Sequence, residues 1–382
     1  MKNKKANISV LIPDGESHLL RFIVNCLAQE REVKIFVLST KKLSEMRFSR
    51  YVQKYIYHSK VSSDIEWVNY IHYVVEQNNI DVIVPIFETG IKKIIENIDV
   101  FKSSSKLCLL PTLNDFIVAG DKGLLFKHLK KHKLPSPKSY VVSSGSLPDN
   151  DFDLSFPVIV KPVKGYGGGQ LIKKIETSKS LSSFFKRNLS DTDFIIQNFI
   201  DGYDICCNVL CKNGSIIAYT FQKDIFNSNG KFLPQIGFKF VEEKDLIHTI
   251  KNLIYTLNWS GIANIDCRYD FKDKKFKILE INTRFWVNTE GSALAGVNFP
   301  YLLCLSNLKN EVALQKADLI SCLNLKGLVF QIKRNPFFVF KFKYIYNNTV
   351  FKYVLKDPLP MFYKYVLRTK NIIASAFTSK VS

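Results

Sequence analysis

The chain has 382 residues, 46% of them apolar, so it can bury more than one core and is neither globally disordered nor a single small domain. Its 54 Lys and Arg against 34 Asp and Glu give a net charge of +20. Such a field attracts nucleic acid, anionic lipid or an acidic metabolite, or else reflects a lysine-rich composition that serves solubility alone. Eight Cys are scattered with no Cys-x-x-Cys pair and no Cys/His ligand spacing, which fits small core residues of a reduced, intracellular protein; Cys206, Cys207 and Cys211 read as packing in a strand. The basic start is followed by an apolar run, Ile8 to Ile12, too short for a signal peptide. No uncharged run is long enough to cross a bilayer, so a cytoplasmic location is expected.

From residue 7 to 110 strands and helices alternate. Ile8–Ile12, Val33–Leu38, Asp81–Pro85 and Leu107–Leu110 read as strands and residues 65–77 as a helix, a pattern that predicts a parallel sheet flanked by helices. The dinucleotide fingerprint Gly-x-Gly-x-x-Gly is absent. Asp14, Ser49-Arg50 and Glu88-Thr89 fall at the carboxyl ends of strands, where ligands gather in such sheets, although each also reads as a turn or capping residue.

A helix follows over about 114–134. Asp121 can cap it, which leaves Lys122 in its first turn, where a nearby anion would account for a cation. His128 and His132 stand four apart among lysines, and that positive setting reads as a solvated face rather than a zinc site. The strand Val158-Ile-Val-Lys-Pro162 runs into a glycine-rich turn carrying Gly165, Gly167, Gly168 and Gly169, with Lys161 and Lys164 at its entrance. Glycines let backbone N–H groups fold toward phosphate oxygens, and lysine adds point charge. After a predicted helix over 177–188 comes Phe194 to Asp204, a strand, hinge and turn. A hairpin crosses Lys212-Asn-Gly-Ser, residues 223–240 read as loop, and 242–257 as helix.

Residues 262–286 hold the densest chemistry. Read as two strands joined by the turn Phe271 to Phe276, they place Asn264, Asp266, Arg268 and Asp270 on one face of the first. Ile278, Glu280, Asn282 and Arg284 share one face of the second. A turn centred on Asp273 sets Asp266 across from Glu280 and Asn264 across from Asn282. Two carboxylates and two amide oxygens then meet on one patch, with a guanidinium two residues beyond. Oxygen ligands of this kind suit Mg²⁺; the alternative is an ordinary solvated charged face.

The tail differs in composition. From Gln331 to Ser382 ten Lys/Arg face one acid, Asp357, with Phe and Tyr interleaved. Packing on the rest of the chain, contact with an anionic membrane surface, and a nucleic-acid platform compete as readings. No nucleic-acid motif accompanies the charge, so no nucleic-acid partner is expected.

In order and spacing these motifs resemble the ATP-grasp superfamily, and most closely its carboxylate–amine ligase-like members of bacterial surface-polysaccharide clusters. The shared pieces are Ser49-Arg50-Tyr51-Val52, Asp121-Lys122, Val160-Lys161-Pro162, the glycine loop, Gln197 to Asp204, Asn264-Ile265-Asp266, Glu280 to Trp286, and Ala295 to Tyr301. The resemblance implies a mixed α/β and α+β fold. A Rossmann-like pre-ATP-grasp domain would cover 1–113 and a two-lobed ATP-grasp domain 114–309, with its lid near 138–195. A basic aromatic extension would follow over 310–382.

The resemblance also implies roles. Lys122, Lys161 and Lys164 would hold ATP phosphates beneath the closing loop of Gly165, Gly167, Gly168 and Gly169. Gln197, Asn198, Phe199 and Ile200 would frame the adenine, and Asp204 would take the ribose. Asp266, Glu280 and Asn282 would bind two Mg²⁺, with Mn²⁺ as an alternative, and Glu280 would bridge them. Arg284, with Lys161, would serve the chemistry as the catalytic pair, Arg284 steadying an acyl phosphate on the way to an amide. Glu88 is a further candidate to hold the amine. Gln197 stands where many relatives carry an acid, Thr283 where Pro is frequent, and Val287-Asn288 where Gly-Ser is frequent. The implied partners are a small-molecule carboxylate and an amine, with peripheral anionic-membrane contact through the tail as an added reading. A nucleotide-binding protein without turnover on the same scaffold is the alternative.

Overall fold

The computed structural model describes residues 7–59, 61–144, 146, 153–165, 172–187, 192–226, 235–308 and 313–378. The chain divides into two compact units: Met1–Cys108 with Trp286–Val312 and Cys322–Ser382, and Leu109–Phe285 with Ala313–Ser321.

The first unit is built on a four-stranded parallel sheet of β1 (Ile8–Ile12), β2 (Val33–Ser39), β3 (Val52–Tyr57) and β4 (Val82–Ile83), in the order β3-β2-β1-β4. Val10, Leu11 and Ile12 are wholly buried, as a strand covered on both faces requires. Helix α1 (Leu20–Leu27) joins β1 to β2, α2 (Asp64–Asn78) joins β3 to β4, and α3 (Glu88–Glu96) follows β4. The start of α2 is capped twice: Ser63 Oγ accepts the Glu66 N–H, and Glu66 Oε2 accepts the Ser62 N–H. The sequence reading missed β3, whose Val-Gln-Lys-Tyr-Ile-Tyr pattern is half exposed. It also placed a full strand at 107–110, where the described residues show a single bridge, Leu107 to Ile83.

The strand-end candidates serve the fold. Asp14 is buried, and its carboxylate accepts the N–H groups of Ile86 and Phe87 just before α3, whose first residue is Glu88. Ser49 Oγ donates to Asp357 Oδ2 at 2.5 Å, and the Arg50 N–H donates to Asp357 Oδ1. The C-terminal segment is thereby fixed to the short turn of helix Glu45–Phe48, where Phe48 and Tyr363 rings lie 4.4 Å apart. The Ala295-to-Tyr301 motif is held to α1 and its exit: Asn298 Nδ2 donates to Cys26 O, and Tyr301 Oη donates to Glu32 Oε1.

The second unit carries α4 (Leu113–Gly120), α5 (Lys122–Lys131), α6 (Ser178–Arg187) and α7 (Lys244–Thr256) and two sheets. The single helix expected over 114–134 is two helices that meet at Asp121. The smaller sheet is antiparallel: β5 (Ser139–Val142), β6 (Val158–Pro162), β7 (Lys173–Ile175) and β8 (Phe194–Asn198), ordered β5-β8-β6-β7. Its core joins Val158, Val160 and Ile196 to Phe184, Phe185 and Phe194, whose rings meet edge to face.

The larger sheet takes β9 (Gly202–Lys212), β10 (Ser215–Asp224), β11 (Gly237–Val241), β12 (Gly261–Asp270) and β13 (Lys275–Asn282) in the order β13-β12-β9-β10-β11. Strand β14 (Gln315–Lys316) pairs parallel to β10. β11 corrects the loop expected over 223–240, of which 227–234 lie outside the described residues. Gly202 is dictated by packing: a Cβ there would stand 1.6 Å from the Tyr269 carbonyl oxygen across the β9–β12 ladder.

Candidate active site

The β12–β13 hairpin sets the frame. Asp270 and Asp273 fold the turn by accepting the N–H groups of the residues two ahead, and Lys274 supplies the left-handed residue, φ +56°. The ladder then pairs Asp266 with Glu280 and Asn264 with Asn282, the register expected from the sequence. One detail differs. The ladder shifts between Asp266 and Cys267, because Leu279 is an extra residue on β13. Ile278 therefore faces the side of its partner Cys267, both almost wholly buried, and does not share the face of Glu280 as strict alternation implied.

Cross-strand register continues this face onto β9. Asn208 pairs with Asn264, Cys206 with Asp266, and Asp204 with Arg268. Residues two apart share a face, so the three strands present one polar grid: Asp204, Cys206 and Asn208; Arg268, Asp266 and Asn264; Glu280 and Asn282.

Two lysines converge on this grid. Asp121 caps α5 by accepting the N–H groups of Gly123 and Leu124, and the Lys122 N–H donates to Val163 O at the end of β6. The Lys122 Nζ thereby lies 3.4 Å from Glu280 Oε2. Lys161 comes from β6 and is only 5% exposed; its Nζ lies 3.7 Å from the same oxygen and donates to the carbonyl of the bulged Leu279 at 3.3 Å. Lys164 is exposed at 3.9 Å from Asp121, and Gly165 has open space around its Cα. Gly167, Gly168 and Gly169 lie outside the described residues.

The electrostatics are asymmetric. Burial, then the charge of Glu280, pushes the Asp266 carboxyl up to about 7. Burial also raises Glu280, but Lys161 and Lys122 outweigh it and hold that carboxyl below its ordinary value. Burial lowers Lys161, partly offset by Glu280. The two carboxyls are thus shifted in opposite directions, Asp266 toward its protonated form and Glu280 toward its charged form.

Asn282 Nδ2 donates to Asn264 Oδ1 at 3.0 Å and to Asp266 Oδ2 at 3.3 Å. Asn264 Nδ2 donates to Asn208 Oδ1, and Asn208 Nδ2 to Thr220 Oγ1. Asn264 is therefore a member of a buried amide relay, which corrects the expectation of two amide oxygens open on the patch. The relay turns Asn282 Oδ1 the other way, toward Arg284 Nη2 at 3.3 Å, while Arg284 Nη1 donates to Phe285 O.

Asp266, Glu280 and Asn282 bring hard oxygens to one face. Among the described residues no three His, Cys, Asp or Glu gather as a metal cluster, so here an amide would complete a carboxylate pair. The set fits Mg²⁺: two carboxylates that resist sharing negative charge are what a divalent cation relieves.

The segment assigned to the nucleotide base runs beside the grid. Gln197 Nε2 donates to Ser139 Oγ, Asn198 is bonded with Ser155, and the Phe199 N–H donates to Pro157 O. Arg268, not singled out for this segment from the sequence, organises it. It donates Nε to Ile200 O and Nη2 to Gly202 O, and its Nη1 lies 2.5 Å from Asp204 Oδ1. The available signal was its place two residues beyond Asp266 on the same face. Cys206 is a second correction: its thiol donates to Asp266 Oδ1 at 3.1 Å on the polar face, while Cys207 and Cys211 are packed in the core.

A model of the ATP-grasp domain matches residues 119–288, which holds the grid and both lysines. Residues 119–288 form an ATP-grasp domain. D-alanine–D-alanine ligase of Polaromonas naphthalenivorans is 26% identical over 183 residues, which cover 44% of this chain and 56% of the relative. The chain thus spans about half the length of the curated relatives it matches. N5-carboxyaminoimidazole synthetase from Staphylococcus aureus, solved with ADP, superimposes with a TM-score of 0.64 at 15% identity, over 88% of each chain. L-amino acid ligase from Bacillus licheniformis gives 0.58 at 15%, over 81% of this chain and 75% of that one. At this identity the likeness is one of fold, a mixed α/β fold that includes a four-stranded parallel sheet.

Proposed function

We propose that the protein is an ATP-dependent carboxylate–amine ligase that forms an amide through an acyl phosphate and releases ADP and phosphate. The observation that carries this reading is the convergence of Lys122 and Lys161 on Glu280, with Asp266 and Asn282 beside it on one face. The match to relatives named as ligases of two amino acids supports it.

In this reading Lys122, Lys161 and Lys164 hold the phosphates, at the entrance to the glycine-rich turn that begins at Gly165. Gln197 to Ile200 frame the base, and Asp204, oriented by Arg268, meets the ribose. Asp266, Glu280 and Asn282 would hold Mg²⁺, which would offset charge between the attacking carboxylate and the triphosphate. A carboxylate oxygen of the acid forms a bond to the γ-phosphorus as the bond to ADP breaks. The amine nitrogen then attacks the carbonyl carbon, the carbon–oxygen bond to phosphate breaks, and the amine gives up its proton to solvent. Arg284, held by Phe285 O beside Asn282, stabilises the oxyanion of that second step. The small-sheet lobe, residues 138–195, serves as the lid that keeps water from the acyl phosphate.

The test is an ADP-release screen of acids, uronic acids and acidic amino acids among them, against mixed amines, with products read by mass spectrometry. Release that requires both an acid and an amine is expected. ATP binding without release under any pair would instead make the chain a nucleotide-binding protein without turnover.

A further inference from the structure

The C-terminal segment, which the ligase chemistry does not use, carries a patch of its own. Helix Leu325–Arg334 is followed by the turn of helix Pro336–Phe340 and by helix Phe342–Asn348. Phe338 is the anchor of this bend: it is buried and meets Tyr344 edge to face at 5.6 Å. Its neighbours point the other way. Phe337, Phe340 and Phe342 are 77%, 67% and 71% exposed, and their rings form one string, 6.5 Å from Phe337 to Phe340 and 6.4 Å from Phe340 to Phe342. Three adjacent open phenylalanines are not the surface of a protein that meets only water.

The setting of the patch is cationic throughout. Between residues 319 and 356 there are seven Lys or Arg and no Asp or Glu. Lys341 and Lys343 alternate with the open rings, and Lys333 and Arg334 end the helix just before them. We propose that this bend is a membrane-docking surface, in which Phe337, Phe340 and Phe342 enter the headgroup–acyl boundary of an anionic bilayer and the flanking lysines bind its lipid phosphates.

Charge complementarity selects this occupant. A second copy of the chain would set lysine against lysine across the same patch. A single-stranded nucleic acid would need rings on which bases stack, yet the aliphatic Val329 and Val339 are open here too, and they suit acyl chains. Among the described residues no helix is long and apolar enough to cross a membrane, so the contact is interfacial. Each basic residue close to an anionic leaflet adds about fivefold to the partition coefficient, and salt removes that gain.

The experiment is sedimentation of the full chain with phosphatidylcholine vesicles, with and without phosphatidylglycerol. The wild type is expected to sediment with the anionic vesicles, to be released by salt, and to stay in solution with pure phosphatidylcholine. The triple variant Phe337→Ser/Phe340→Ser/Phe342→Ser should lose at least tenfold in partition while keeping its melting temperature and nucleotide binding. Lys341→Glu/Lys343→Glu should lose a comparable factor with the rings intact. Three results would overturn the proposal: equal binding to both vesicle types, no effect of either variant, or a dimer or oligonucleotide complex that the serine variant dissolves while vesicle binding is absent.

Discussion

The Lys161 ammonium, almost wholly buried, lies 3.7 Å from the Glu280 carboxylate and within hydrogen-bond reach of the Leu279 carbonyl. A strand bulge makes both contacts available at once, since Leu279 is the residue the β12 ladder leaves over. Replacing Glu280 by Gln keeps the shape and removes the charge that Lys122 and Lys161 share. ADP release is expected to fall by about 10²–10³-fold, the scale for loss of one preorganised electrostatic contact. A thermal melt of the same variant checks that the fold persists.

The amide relay makes a separate prediction. Asn264 stands between Asn208 and Asn282, and its loss frees the Asn282 amide to rotate away from the grid. Asn264→Ala should raise the Mg²⁺ concentration needed for half-maximal ADP release by about 10–100-fold, the usual cost of removing a partner that orients a ligand. The readout is a Mg²⁺ titration at saturating ATP.

Gly202 predicts a purely steric effect. A methyl group there meets the Tyr269 carbonyl at 1.6 Å, so β9 and β12 must separate in the Gly202→Ala variant. A loss of at least about 2 kcal/mol is expected by urea denaturation, in the range of overpacked sites. Nucleotide affinity should fall with it, because Arg268 loses the Gly202 carbonyl it holds.

Asp14 predicts a pH dependence in the first unit. Burial raises its carboxyl to about 7 against the pull of the Ile86 and Phe87 N–H groups. Its value in the unfolded chain is about 3.9. The folded state therefore favours the protonated form. The stabilisation is fully present below pH ~4 and is lost as pH rises through about 7, at about 1.4 kcal/mol per pH unit in that window. Urea midpoints measured between pH 5 and pH 8 should fall for the wild type and flatten for Asp14→Asn.

Much of the second unit was legible because its signals are local. The Asp270–Asp273 turn chemistry fixes the hairpin register, and register alone brings Asp266 opposite Glu280. The bulge at Leu279 was not legible, since an apolar residue in an alternating strand carries no mark of being extra. The roles of Cys206 and Asn208 were hidden for another reason. They depend on which strand lies beside β12, and that pairing spans about sixty residues of intervening chain. In the first unit, β3 escaped because its burial is partial, and Asp357 because its partner Ser49 lies some three hundred residues away.

The most direct measurement uses the acid substrate labelled with ¹⁸O in its carboxylate. Activation as an acyl phosphate transfers one labelled oxygen to the phosphate that leaves. The account predicts one ¹⁸O in inorganic phosphate for each amide formed by the wild type, and both products reduced about 10²–10³-fold in Glu280→Gln. Amide formed with unlabelled phosphate, or label transfer undiminished in the variant, would contradict it.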